Sequence, residues 1–295
     1  MPPDARLYGQ LLKQVANSWL DDYVPSMGAA LAFYTLFSLA PLLLIVVSVA
    51  GLVFGEDAAR GEIQVQLQAL MGVRGASAVQ DLLTSVDKPA QGVAATVLGV
   101  ALLLVGATTV FGELQDSLDR IWRAPAQGQT TGWLGLVRAR LLSFGMILAI
   151  GFLLTVSLVL SAALAMMGRW WSPVFEGWYL VTATASAMGG FVLNAAMFAL
   201  IYKVMPRVHV AWRDVWTGAL FTALLFGLGK SLIGAWIGSS GLVTGFGAAG
   251  SLVVVLLWVY YSAQVFLMGA EFTWVYANTL GSRKAQHVEV DALAL

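Results

Sequence analysis

The sequence predicts an all-α polytopic membrane protein: a six-helix transmembrane bundle with short amphipathic helices at its N-terminus and in its first outer loop. Three observations predict it. Hydrophobic residues fill 59% of the 295 positions. Charged residues fill only 11%, against roughly 25% in a soluble domain, too few to coat a surface in water. The charges also gather in short segments between long apolar runs, and alternate segments share the basic residues unequally.

A helix needs about 20 apolar residues to cross a hydrocarbon core roughly 30 Å thick. Six runs satisfy that length, approximately 28–54, 93–112, 141–167, 179–203, 215–237 and 250–277. The third carries no charge from Leu141 through Met167, whereas Lys230 and Glu271 interrupt the fifth and sixth. Lys and Arg in the connections orient such a bundle. One side holds eleven of them, from Arg6 and Lys13 through Arg120, Arg123 and Arg213 to Arg283 and Lys284. The other holds four, Arg60, Arg74, Lys88 and Arg169. The richer side is expected to be cytoplasmic, so both termini lie inside. Residues 1–27 lack the uninterrupted apolar stretch of a cleavable signal peptide, so the first span is expected to stay in the mature protein.

Three regions follow: a cytoplasmic N-terminal helix over 1–27, a membrane domain over 28–277 and a cytoplasmic tail over 278–295. In the first, Leu7, Leu11, Val15 and Trp19 recur at helical spacing, which predicts an amphipathic helix along the inner surface. The outer connection 56–92 repeats the pattern with Leu67, Leu70 and Met71, then Val79, Leu82, Leu83 and Val86. It reads as two short helices meeting near Gly72 and Gly75, with five acids against three bases. No internal repeat stands out, so an inverted-repeat architecture has no support.

The chain has no cysteine, which excludes disulfides, thiolate metal sites and cysteine nucleophiles. His209 and His287 lie far apart, and no spacing for a zinc or two-metal centre exists. No cofactor is therefore expected. Net charge is zero, so no field points to nucleic acid.

Several stretches carry a family resemblance. They are ALAFYTLFSLAPLLL at Ala30–Leu44, DSLDRIW at Asp116–Trp122, MPRVHVAWRDVWTGAL at Met205–Leu220 and FGLGK at Phe226–Lys230. The last is FGAAGSLVVVLLWVYYSAQVFLMGAEF at Phe246–Phe272. Together they make the chain resemble the YihY/BrkB family of bacterial inner-membrane proteins over roughly residues 15–278. Phe246 stands where the family pattern carries tyrosine, so any role for that hydroxyl is absent here. The resemblance implies six spans with inside termini and an inner-membrane location. Family labels do not agree on activity: ribonuclease BN, serum-resistance factor, and lipid or solute exporter.

Candidate residues each carry two readings. Pro41 removes a backbone donor in the first span, freeing the Phe37 carbonyl. The result is either a packing kink satisfied by Ser38 or Thr35, or part of a substrate path. Lys230 either snorkels or holds an anionic headgroup. Helical rise separates it from Glu271 by about 20 Å in depth, so those two are not expected to pair. Glu271 and Glu113 read as latches toward Arg120, Arg123 or Arg213, or as functional charges. Asn194 and Gln264 fall at similar depth and could hydrogen-bond across the bundle, or handle substrate. Gly234 with Gly238, and Gly241 with Gly245, form GxxxG pairs for close packing. With Gly247, Gly245 also makes the connection 238–250 a candidate gate. Trp122, Trp133, Trp170, Trp171, Trp178, Trp212 and Trp216 read as interfacial anchors.

Three functions compete. A nuclease needs a metal cluster or acid–base pair in water beside a basic groove, and the sequence offers neither. A translocator needs polar groups inside the bundle, which Lys230, Asn194, Gln264 and Pro41 supply, and the sparse lining suits a lipid-like or anionic substrate. A membrane scaffold or envelope-assembly factor without transport is the alternative. Membrane lipids are the expected surroundings, and homo-oligomerisation stays open.

Overall fold

Glycine, proline and buried charge mark where the helices of this chain begin and end. The computed structural model describes residues 5–86, 109–125, 178–239 and 249–284, and every described element is helical. In chain order these are α1 (Ala5–Asp21), α2 (Val24–Phe54), α3 (Glu56–Val86), a helical segment over 109–121, α4 (Trp178–Val204), α5 (Trp212–Ser239) and α6 (Gly250–Thr279). The expected spans 93–112 and 141–167 lie largely or wholly outside the described residues.

α1 turns Leu11, Val15 and Ser18 inward and leaves Leu12 and Leu20 exposed. Tyr23 then takes a left-handed backbone (φ 57) and its amide bonds the Leu20 carbonyl at 3.1 Å. Pro25 follows in the first turn of α2, where a missing N–H costs nothing. The α2 backbone continues as a helix through Pro41. The Ser38 hydroxyl donates to the Thr35 carbonyl at 3.0 Å, and not to the Phe37 carbonyl that the proline frees.

Gly55 (φ 86) lets α2 fold straight into α3. Gly72 (φ 75, ψ 173) divides α3 into two helical stretches, a conformation essentially reserved for glycine.

The 109–121 segment ends in a Schellman motif. The Arg123 amide bonds the Arg120 carbonyl at 3.0 Å, and the Ala124 amide bonds the Asp119 carbonyl at 2.8 Å. The left-handed residue is Arg123 (φ 48), where glycine is usual. Pro206 stops α4, and Asp214 places a carboxylate in the first turn of α5, where the helix dipole favours it.

Contacts divide the chain into two compact units. One comprises Met1–Ser18, Leu118–Leu225 and Met268–Leu295, the other Trp19–Ser117 and Phe226–Leu267. In the second unit, Met71, Ala78, Val79 and Leu83 of α3 form a core with Ile237 of α5 and Val254, Val255 and Trp258 of α6.

Among the described residues three helices are long and apolar enough to cross a membrane, over Ala187–Val204, Trp212–Ile237 and Gly250–Thr279. Val24–Leu39 of α2 forms a shorter apolar stretch.

Candidate functional site

α5 and α6 pair through small residues. On α5, Gly218 and Thr222 stand four apart, and on α6 so do Gly269 and Thr273. A side chain on Gly218 would collide with Thr273, and one on Gly269 would collide with Thr222. Each threonine also folds back on its own helix. The Thr222 hydroxyl donates to the Gly218 carbonyl at 2.8 Å, and the Thr273 hydroxyl to the Gly269 carbonyl at 2.6 Å. Tyr202 of α4 joins at 3.0 Å from the Thr222 oxygen. Because the threonine proton is committed, the tyrosine hydroxyl is the donor. These pairings fix an antiparallel register, and Gly229 against Tyr261 in the second unit obeys it.

The outward side of α5 shows which way it faces. Trp212, Trp216, Leu220, Leu224, Leu228, Leu232 and Trp236 recur every fourth residue and are 40% to 72% exposed. Trp216 and Trp236 are about 30 Å apart on the helical rise, the thickness of a hydrocarbon core. Aromatic ends on an aliphatic stripe are what lipid contact selects.

Lys230 sits at the edge of the packed face of α5 and is half-buried. Among the described residues no carboxylate pairs with it. Gly227 lies about 60° and Gly234 about 40° round the helix from it. A Cβ on either would meet nothing within 4 Å among the described residues, so among these the lysine is flanked by a notch. Among the described residues, therefore, nothing packs closely against Gly234 of the expected GxxxG pair. Gly241, Gly245 and Gly247 lie outside the described residues.

On α6 two polar side chains are incompletely satisfied. The Tyr261 hydroxyl rests against Gly229, next in chain to Lys230, and has no hydrogen-bond partner among the described residues. Gln264, one turn along, presses on Gly28 of α2. Its Nε2 faces the Val24 and Pro25 carbonyls at 3.4 and 3.5 Å. Those two acceptors determine the amide orientation, which leaves Oε1 facing away, buried and without a hydrogen-bond partner. Asn194 is half-buried on α4.

In the other unit, several charged contacts among the described residues converge on the loop Met205–Ala211. Asp119 accepts from the Arg207 amide at 2.7 Å and pairs with its guanidinium at 3.2 Å. Lys203 reaches the Val210 carbonyl and lies over the Trp212 ring at 5.5 Å. Arg283 donates to the His209 carbonyl at 2.8 Å and lies over Trp122 at 5.1 Å. Arg123 covers Trp274 at 4.2 Å. Trp122 is thus buried beneath a guanidinium and is not the interfacial anchor its position suggested.

Glu271 is fully buried (0% exposed). Glu113 is half-buried, while Arg120 and Arg213 are exposed. Asp214, also 0% exposed, accepts from the Ser282 hydroxyl at 2.6 Å and the Ser282 amide at 3.2 Å, tying the end of α6 to the start of α5. The Asp119, Asp214 and Tyr202 contacts escaped sequence reasoning because their partners are distant in the chain. The paired Gly-x-x-x-Thr spacing was visible there.

Among the described residues no group of side chains could hold a metal ion. The family model for the virulence factor BrkB matches residues 15–292. A UPF0761 membrane protein of Tolumonas auensis is 26% identical over 89% of this chain and 85% of its own length. One of Cronobacter sakazakii is 27% identical over 98% of this chain and 97% of its own. A UPF0761 membrane protein of Pseudomonas paraeruginosa is 28% identical over 87% of this chain. That relative is longer, and this chain spans about 60% of it. No solved structure matches. The chain belongs to the BrkB family of membrane proteins.

Proposed function

We propose that this membrane protein is a six-span translocator of an amphipathic, anionic substrate in the bacterial inner membrane, with both termini cytoplasmic and no catalytic chemistry of its own. One observation carries the reading. Within one compact unit, Lys230 interrupts an apolar helix with no carboxylate partner among the described residues, and the Tyr261 hydroxyl and Gln264 Oε1 are buried there without hydrogen-bond partners.

Each of these groups is costly where it stands. A lysine at the centre of a span costs about 2.5–3.5 kcal/mol, and a buried hydroxyl or amide oxygen left unpaired about 1–3 kcal/mol. A bundle that only holds its own shape gains nothing from keeping them. A bundle that receives a polar headgroup offsets the cost whenever the site is occupied.

The cross-braced end, where Lys203 and Arg283 hold carbonyls of the Met205–Ala211 loop and Asp119 holds its Arg207, favours the competing reading of a static scaffold. Transport in reconstituted vesicles separates the two. A fluorescent anionic lipid should cross faster in vesicles containing the wild type than in empty ones, and Lys230→Met should return the rate to background. Unchanged crossing with Lys230→Met at equal protein content would remove Lys230 from the site.

A further inference from the structure

We infer that the Trp212 end of the α5 stripe is a binding surface for an anionic phospholipid, whose phosphate meets Lys203 and Arg213 while its acyl chains lie along the leucines beyond. The inference goes beyond the translocator reading and does not need it, because a lipid resident on this surface crosses nothing.

The surface is built from adjoining positions within one compact unit. Lys203, near the end of α4, lies over the Trp212 ring at 5.5 Å and donates to the Val210 carbonyl. That bond holds the lysine in place and leaves the rest of its ammonium donors for an anion. Trp216 stands one turn along from Trp212, about 40° round the helix. Arg213 lies about 60° from Trp216 and about 20° from Leu220. Trp212, Arg213, Trp216 and Leu220 are all exposed, and Lys203 is half-buried. Two cations thus adjoin one pair of exposed indole rings.

Nothing acidic answers them. Among the described residues no carboxylate pairs with Lys203 or Arg213. Asp214, next in chain to Arg213, is buried and taken by Ser282, and Asp119 is paired with Arg207. The surface therefore calls for an anion from outside, and the rest of the stripe says which kind. Leu220, Leu224 and Leu228, all exposed, carry it about 18 Å beyond Trp216. That is roughly one leaflet of a hydrocarbon core about 30 Å thick. A lipid with a negative phosphate and acyl chains satisfies both parts. A choline headgroup sets a positive charge beside two others, and a soluble phosphate makes no use of the leucines.

Native mass spectrometry counts what the protein retains. Protein stripped of lipid in maltoside micelles is given dioleoylphosphatidylglycerol and dioleoylphosphatidylcholine in equal amounts. The wild type should prefer phosphatidylglycerol by on the order of tenfold, since each basic side chain near an anionic lipid contributes about fivefold. Arg213→Gln should cut that preference about fivefold, and Lys203→Met likewise. Lys203→Met also loses the bond to Val210; should it not fold, Arg213→Gln decides. Lys284→Gln removes the same charge from another exposed position and should leave the preference as it was. The series is repeated in Lys230→Met, which keeps lipid held at Lys230 out of the count. An excess of glycerol 1-phosphate should not displace the bound lipid. Equal retention of both lipids, an equal fall in Lys284→Gln, an unchanged preference in Arg213→Gln, or displacement by glycerol 1-phosphate would overturn the inference. A lipid-free dimer that needs Trp216 would assign the face to a second copy and overturn it too. The expected retention without lipid crossing in vesicles would leave this site standing and remove the translocator reading alone.

Discussion

Thr222 of α5 occupies the space over Gly269 of α6 that a side chain would need, and its own hydroxyl is tied down to the Gly218 carbonyl. Where lipid surrounds a helix pair, apolar burial gives no drive to associate, so close packing and hydrogen bonds must do it. The reciprocal fit of Thr273 over Gly218 doubles the contact. Neither threonine leaves a hydroxyl proton unused.

Glycine substitutions should separate packing positions from the notch. Gly218→Ala and Gly269→Ala force threonine away from its seat and should cost about 1–3 kcal/mol, the usual penalty of overpacking. Gly227→Ala and Gly234→Ala meet open space and should leave the thermal midpoint unchanged or slightly raised. Midpoints measured in one detergent decide it. Equal losses at all four would mean that the α5–α6 register is wrong.

Tyr202→Phe removes the proton given to Thr222 while the threonine keeps its bond to Gly218. The expected loss is about 0.6–2 kcal/mol, the range of one interhelical hydrogen bond in a membrane. Thr222→Val removes both hydroxyl bonds at nearly constant shape and should lose at least as much. A denaturant series in mixed micelles would measure both. A Tyr202→Phe variant as stable as the wild type would show the bond to be idle.

Arg123 combines a strained backbone with a useful side chain. Its left-handed conformation (φ 48) costs roughly 1–2 kcal/mol, and its guanidinium over Trp274 returns about 0.5–2 kcal/mol. Arg123→Gly should therefore stay near wild-type stability. Arg123→Ala keeps the strain and loses the ring contact, so it should fall below the glycine variant by about 1 kcal/mol. The reverse order in thermal midpoint would contradict the Schellman reading of this helix end.

Orientation can be read by labelling. Single cysteines at Gln80 and Gln127 place a thiol on either side of the expected second span, in a chain that has no cysteine of its own. An impermeant maleimide added to intact cells should label position 80 and spare position 127. Labelling at 127 alone would invert the topology.

Helices and membrane were legible in the sequence because lipid acts on composition. A run of apolar residues long enough to span, with charge confined to its ends, is detectable without knowing what it packs against. The ends of α4, α5 and α6 accordingly fall within a few residues of the runs 179–203, 215–237 and 250–277. The break at Gly72 was legible too, since glycine inside a helical pattern marks where the backbone can leave it. The identity of Lys230 as an anomaly also needed nothing but its place in an apolar run.

What surrounds each side chain was decided by the tertiary structure alone. Trp122 looked like an interfacial anchor, and the Arg283 guanidinium, contributed from more than 150 residues away, buries it. Gln264 meets α2 at Gly28 and at the Val24 and Pro25 carbonyls, because depth says nothing about which face of a helix meets which neighbour. Gly234 and Gly238 have the spacing for close approach, and among the described residues nothing lies within 4 Å of a Cβ at Gly234. Periodicity along one helix is a local property written in the chain. Its rotation against a neighbour is set by side chains such as Thr222, Thr273 and Tyr261 finding the few places where glycine leaves them room.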